Sequence, residues 1–141
     1  MRFWDSSAIV PLLVPEERSA DCTEQLAAEG AMIVWALTPV EVLSAIHRLH
    51  RAQALDETTL RGAQQRLASL RTAWSEIHDV GLVGARAERL LAVHPLRAAD
   101  ALQLAAALIA CDERPANVPL VCLDARLNDA AAREGFKILP A

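Results

Sequence analysis

The sequence predicts an α/β fold: one three-layer α/β/α domain whose mainly parallel central sheet is flanked by helices on both faces. Three observations predict it. Short apolar runs alternate with longer amphipathic stretches along the whole chain, the rhythm of strand–helix–strand units. Ala31 to Leu37 is continuously apolar, the pattern of a strand buried on both sides. Ala98 to Leu108 is apolar nearly all round, as a central helix is, apart from Asp100 and Gln103. With 141 residues, 53% of them hydrophobic, and no repeat, low-complexity tract or linker, the chain reads as a single domain over 1–141.

The elements follow in order. Arg2 to Trp4 is a brief strand that ends abruptly on Asp5, and Ser7 to Leu13 is a short helix stopped near Pro15. Glu16 to Ala28 predicts a second helix, with Gly30 placed as its C-terminal glycine. After the strand at Ala31–Leu37, Thr38-Pro39-Val40-Glu41 is a helix start: Thr38 can cap, Pro39 sits where a missing N–H costs little, and Glu41 occupies the reciprocal capping-box place. That helix runs to about Gln53 with Val42, Leu43, Ile46 and Leu49 inward. Asp56 caps the next, which runs through about Trp74 with Leu60, Leu67 and Leu70 inward. A short strand is expected over Glu76–Val80, and a helix over Val83–Val93 with Leu82, Leu90 and Leu91 available for burial. His94-Pro95 breaks the chain before the apolar helix that carries Asp100. Pro119–Leu123 is a strand ending on Asp124, Ala125–Glu134 a helix ended by Gly135, and Phe136–Leu139 the last strand.

Charge and cysteine usage narrow the function classes. The formal charge is −4, from 18 acids against 14 bases, 13 of them Arg. Bulk electrostatics therefore give no help in finding a nucleic acid, although bound metal reverses the sign locally. Cys22, Cys111 and Cys122 are odd in number and lack paired-ligand spacing, which fits a reducing, cytoplasmic home better than a disulfide framework. No signal-like stretch opens the chain, because Asp5 interrupts it, and the most apolar segment is too short to span a bilayer.

Four acids stand out. Asp5 and Asp124 terminate apolar strands, and Glu41 and Asp100 sit in or beside first turns of helices. Taken singly, each has a plain reading as a cap: Glu41 completes a box with Thr38, Asp100 has Gln103 three places on, and Asp5 and Asp124 precede helices. Taken together, all four fall on the edge of a parallel sheet where ligands bind. Asp100 is the only charged side chain between Arg97 and Asp112, a costly place for a charge that nothing pairs with. Converging carboxylates repel unless cations neutralise them, and hard ions such as Mg²⁺ or Mn²⁺ prefer all-oxygen sites. A metal held there can polarise a phosphodiester oxygen and activate a water, and two such ions about 4 Å apart clamp an in-line displacement. Ser6 or Ser7 can orient water or phosphate, or simply cap.

Four segments, in this order, resemble the PIN-domain ribonucleases, and within them the VapC-type toxins of bacterial toxin–antitoxin pairs. They are Asp5-Ser6-Ser7-Ala8-Ile9-Val10, Trp35 to Ala45, Leu96 to Ala107, and Val121-Cys122-Leu123-Asp124-Ala125-Arg126-Leu127. The resemblance places the family's metal-binding, catalytic acids on Asp5, Glu41 and Asp100, with Asp124 as a less strict fourth and Asp129 as its rival. It leaves Ser6 and Thr38 as possible support. It implies Mg²⁺- or Mn²⁺-dependent endoribonuclease activity, a homodimer, no membrane association, and neutralisation by a small VapB-like antitoxin. Cys122 departs from relatives that carry Thr two places before the fourth acid.

Other readings compete. A phosphoacceptor receiver domain shares the acidic Mg²⁺ pocket but needs a lysine after a late strand, and the only lysine is Lys137. A haloacid-dehalogenase-type phosphatase wants an Asp where Ser7 stands. A non-catalytic relative would keep the fold and lose the acids, and all four acids are present. His47 and His50 lack a third ligand in zinc-like spacing, so they read as solvated or RNA-facing groups. The arginines between Pro39 and Trp74 can steer phosphates or merely face solvent.

Overall fold

The computed structural model describes residues 1–141. Five strands, β1 (Arg2–Trp4), β2 (Met32–Trp35), β3 (Ser75–Ile77), β4 (Leu120–Val121) and β5 (Ile138–Leu139), form one sheet in the order β3-β2-β1-β4-β5. Every pairing is parallel. The crossovers contain seven helices: α1 (Ser6–Leu13), α2 (Ser19–Ala28), α3 (Thr38–Arg51), α4 (Glu57–Ala73), α5 (Val80–Val93), α6 (Ala98–Ala110) and α7 (Ala125–Arg133). A short 3₁₀ turn at Pro115–Asn117 precedes β4.

The two-residue period of the strands divides the interior into two cores. Phe3, Ile33, Trp35 and Leu120 point to one face and pack with α5, α6 and α7. Trp4, Met32, Val34 and Val121 point to the other and pack with α1, α2, α3 and α4. Side chains such as Ile9 and Leu104 are fully buried, and each such burial contributes about 1.5–3 kcal/mol. The sheet is therefore the middle of three layers, as the alternating pattern predicts. Trp35 and Trp74 both belong to these cores.

Several local expectations need correction. Helix α2 starts at Ser19 rather than Glu16 and ends on an extended Glu29, so Gly30 is not a left-handed cap. Leu82 and Leu91 are exposed, because α5 buries only the stripe of Val83, Ala87 and Leu90. The expected Gly135 stop does form. Its φ is 101°, its N–H reaches the Ala132 carbonyl, and the Phe136 N–H reaches back to Ala131, the paired closure of a Schellman motif.

The topology positions the site. From β1 the chain moves outward through β2 to β3, then crosses back to place β4 on the other side of β1. The crevice at the carboxyl ends of β1 and β4 is the switch point of the sheet, the usual ligand position in open α/β folds.

Candidate active site

Asp5 leaves β1 into that crevice. Its backbone N–H still continues the ladder to the Val121 carbonyl at 3.0 Å, while its side chain caps α1, with Oδ2 accepting from Ser7 N–H at 3.0 Å. Asp124 does the same one strand over, with Oδ1 accepting from Leu127 N–H at 2.9 Å. Both acids are caps, as the plain reading holds. Capping occupies one oxygen of each, and neither Asp5 Oδ1 nor Asp124 Oδ2 hydrogen-bonds to protein.

Glu41 and Asp100 behave differently from their expected capping roles. Helix α3 is capped by Leu37 with no side-chain bond, and Thr38 is the first helical residue, so no Thr38–Glu41 box forms. Helix α6 opens at Arg97, again without a side-chain cap, and Asp100 lies inside its first turn. The partner of both α3 residues is Gln103, whose Nε2 donates to Glu41 Oε2 at 2.7 Å and to Thr38 Oγ1 at 3.0 Å. Sequence reading paired Gln103 with Asp100 and missed its bonds to Glu41 and Thr38, and it did not single out Arg97 and Arg126, which flank Asp100 and Asp124.

The serines divide their duties. Ser7 is structural: its Oγ accepts from Leu123 N–H at 2.9 Å and lies 3.5 Å from Cys122 Sγ, stapling the β1–α1 turn to the β4–α7 turn. Ser6 lines the hollow that holds Glu41 and Asp100. Cys122 lies beneath the acids, its thiol 3.6 Å from Asp5 Oδ2. Burial pushes that thiol far up from its ordinary value, with the Asp5 charge adding to the effect, so it stays protonated and can donate to the carboxylate.

Electrostatics tie the acids together. Burial raises the pKa of Asp5, opposed by its Ser7 and Cys122 hydrogen bonds and reinforced by the charge of Asp124. Burial also raises Glu41, with Gln103 and Ser6 pulling it down and the charges of Asp5 and Asp100 pushing it up. Asp100 is raised by burial first, then by Asp124 and Asp5, while Arg97 and Arg126 pull the other way. Glu41 feels the charges of Asp5 and Asp100, Asp100 feels those of Asp124 and Asp5, and Asp5 feels that of Asp124.

Two open hollows meet at Asp100. One, of about 470 Å³, is lined by Arg97, Ala99, Asp100, Asp124, Ala125 and Arg126. The other, of about 410 Å³, includes Ser6, Val40, Glu41, Arg48 and Asp100. Asp129 is exposed on α7 and lines a smaller depression with His94 and Arg133; the structure brings Asp124, not Asp129, beside Asp100. The largest hollow, about 540 Å³ between α1, α2 and α4, contains no acid and none of the candidate residues.

The donor set suits a hard divalent cation: carboxylate oxygens from four chain segments, mutually repelling and with free oxygens on each. As the side chains stand, no three His, Cys, Asp or Glu groups close on a single ion position. His50 pairs with Glu57 at 3.3 Å. Lys137 precedes β5 and its carbonyl accepts from Leu120 N–H at the start of β4, so it lies at the opposite edge of the sheet from the acids. That placement removes the lysine a receiver domain needs.

Comparison with known proteins agrees with this fold. The PIN domain family matches residues 2–133. Ribonuclease VapC45 of Mycobacterium tuberculosis is 31% identical over 139 residues, covering 99% of this chain and 94% of that protein. Among solved structures, M. tuberculosis VapC20, described as a sarcin-ricin loop cleaving toxin, superposes with TM-score 0.71 at 16% identity, covering 96% of each chain. A toxin–antitoxin complex from Klebsiella pneumoniae gives TM-score 0.62 at 17% identity, covering 88% of this chain and 87% of the other. The matched segment contains all four acids and both walls of the crevice, and the chain belongs to the PIN-domain family, where its kinship is with the VapC proteins.

Proposed function

We propose that this protein is a metal-dependent endoribonuclease toxin, neutralised by a cognate VapB-like antitoxin, that hydrolyses RNA phosphodiester bonds with Mg²⁺ or Mn²⁺. The observation that carries the reading is the convergence of four acids at the switch point of the sheet, with Asp5 and Asp124 at the ends of β1 and β4 and Asp100 sharing one hollow with Asp124 and the other with Glu41. When bound there, a divalent cation supplies Lewis-acid polarisation of a phosphodiester oxygen and a lowered pKa for water. The chain's own residues do the rest. The four carboxylates hold the charge, and Ser6 is placed beside Glu41 to accept or donate a hydrogen bond to water or phosphate. Arg97 and Arg126 flank Asp100 and Asp124 without forming an ion pair with them, which leaves both guanidinium groups available to substrate phosphates.

The partner assignment draws on kinship with VapC proteins and on the Klebsiella toxin–antitoxin fold match. No helix is long and apolar enough to cross a membrane, and three free cysteines suit a cytoplasmic setting. A homodimer is part of the same reading: Leu37, Val40, Val80 and Leu82 are exposed around the starts of α3 and α5, an apolar surface that a second copy can cover. Light scattering at micromolar concentration is expected to give twice the chain mass, and a monomer there removes the dimer.

The test of the activity is digestion of total bacterial RNA by purified, antitoxin-free protein. Discrete cuts are expected with Mn²⁺ or Mg²⁺ and none with chelator. Folded protein that cuts nothing under either metal is a non-catalytic member of the family.

A further inference from the structure

Gln103 has no part in the chemistry above, yet its placement is costly. The side chain is 1% exposed, on a helix whose neighbouring Leu104, Ala105, Ala106 and Ala107 are all buried. Both of its amide hydrogens are used, one on Glu41 and one on Thr38. Its Oε1 is buried with no partner. An unpaired buried acceptor costs about 1–3 kcal/mol, and a Leu or Met would avoid that cost among these apolar neighbours.

Amide orientation explains the choice. An ionised carboxylate only accepts, so the nitrogen must face Glu41 and the oxygen must be left alone. We infer that Gln103 is a positioning residue for the active site, holding Glu41 Oε2 from across the α3–α6 contact so that Oε1 stays free for a cation. This inference rests on the reading of the four acids as a divalent-cation site. Asp100 and Gln103 are three residues apart and share one face of α6. One helix thereby supplies one acid directly and fixes a second that belongs to α3. A neutral amide suits this task, because Lys or Arg in its place would hold Glu41 but cancel the negative charge a cation requires. Thr38 takes the second amide hydrogen and fixes the rotation of the group, which gives the buried Thr38 hydroxyl a role through Gln103 rather than as a cap.

Mn²⁺ binding by titration calorimetry tests it, with wild type, Asp5→Asn, Gln103→Met, Glu41→Gln and the Gln103→Met/Glu41→Gln double variant, alongside unfolding of each without metal. Gln103→Met is expected to weaken Mn²⁺ binding about tenfold, the usual scale for groups that orient a ligand. It is expected to have no further effect once Glu41 is Gln, because the carboxylate ligand that Gln103 positions is already absent. Its metal-free unfolding should stay close to wild type, because relief of the unpaired Oε1 offsets the bonds lost to Thr38 and Glu41. Wild-type affinity in Gln103→Met, with binding weakened in Asp5→Asn, overturns the inference and leaves the cation site standing. An equal loss in the Glu41→Gln background also overturns it. No Mn²⁺ binding by wild type overturns both readings. Should Gln103→Met fail to unfold cooperatively, Gln103→Asn decides: it keeps the amide but is one methylene too short to reach Glu41, so the same loss is expected and wild-type affinity counts against the inference.

Discussion

Asp5→Asn is expected to lower RNA cleavage on the order of 10³-fold while leaving the protein folded. The amide is nearly isosteric, Asn caps a helix as well as Asp does, and its oxygen can still accept from Ser7 N–H in the place of Oδ2. The anionic ligand is lost, and the cation with it contributes several kcal/mol to the transition state, at 1.36 kcal/mol per factor of ten. Metal-free stability should rise rather than fall, because burial and the charge of Asp124 both oppose ionisation of Asp5. The check is a pair of measurements on each protein: cleavage rate on one mapped RNA fragment, and the denaturant midpoint without metal. Cleavage within tenfold of wild type would remove Asp5 from the chemistry. Loss of cooperative unfolding would assign it a purely structural role.

The second large effect is on stability as pH and metal change together. Asp5, Glu41 and Asp100 all have folded pKa values above their ordinary ones. Between the unfolded and folded values the native state binds more protons, so stability falls as pH rises through the folded values. The metal-free protein should therefore gain stability as pH is lowered through the folded pKa values of these acids toward the ordinary carboxylate range, and Asp5→Asn should show a shallower dependence. Saturation with Mn²⁺ at 100 times its dissociation constant should add about 2.7 kcal/mol at pH 7. That increment should shrink as pH falls, because protons and cation compete for the same oxygens. Denaturant midpoints at pH 5 and 7, with and without Mn²⁺, supply the check. A metal increment that is independent of pH would place the ion away from these acids.

Much of this site is legible in the sequence, and the part that is not has a specific cause. Asp5 and Asp124 are readable because each stands between an apolar strand and a helix, which makes it a cap and also places it on the carboxyl edge of the sheet. Glu41 and Asp100 are readable as acids but not by their partners. Thr38 with Glu41, and Asp100 with Gln103, each have the three-residue spacing of a capping box. In the fold these two apparent boxes exchange members: Gln103 joins Thr38 and Glu41 across the helix contact, and Asp100 is left facing the hollows. Local spacing cannot distinguish a bond within a helix from one between helices. The exposed Leu82 and Leu91 have a related cause, since the flanks of a stripe look as apolar as its centre. Gly30 and Gly135 look alike in sequence, but only Gly135 takes a left-handed conformation, because Phe136 is buried and draws the chain back over α7.

The pairing of β1 with β4 also decides when the protein becomes competent. Asp5 and Cys122, in contact beneath the crevice, are 117 residues apart in the chain. A chain emerging from synthesis can pair β1 with β2 and β3 early, through comparatively local contacts, and that intermediate brings together only Asp5 and Glu41. Asp100 follows on α6, which packs against α5 and β2. Asp124 arrives last, with the β1–β4 pairing that is the longest loop closure of the fold and the step that topology makes slowest. Half-made chains therefore have two acids and no assembled site. Until β4 pairs with β1 the crevice lacks Asp124, so the last pairing of the sheet is also the step that completes the proposed cation site.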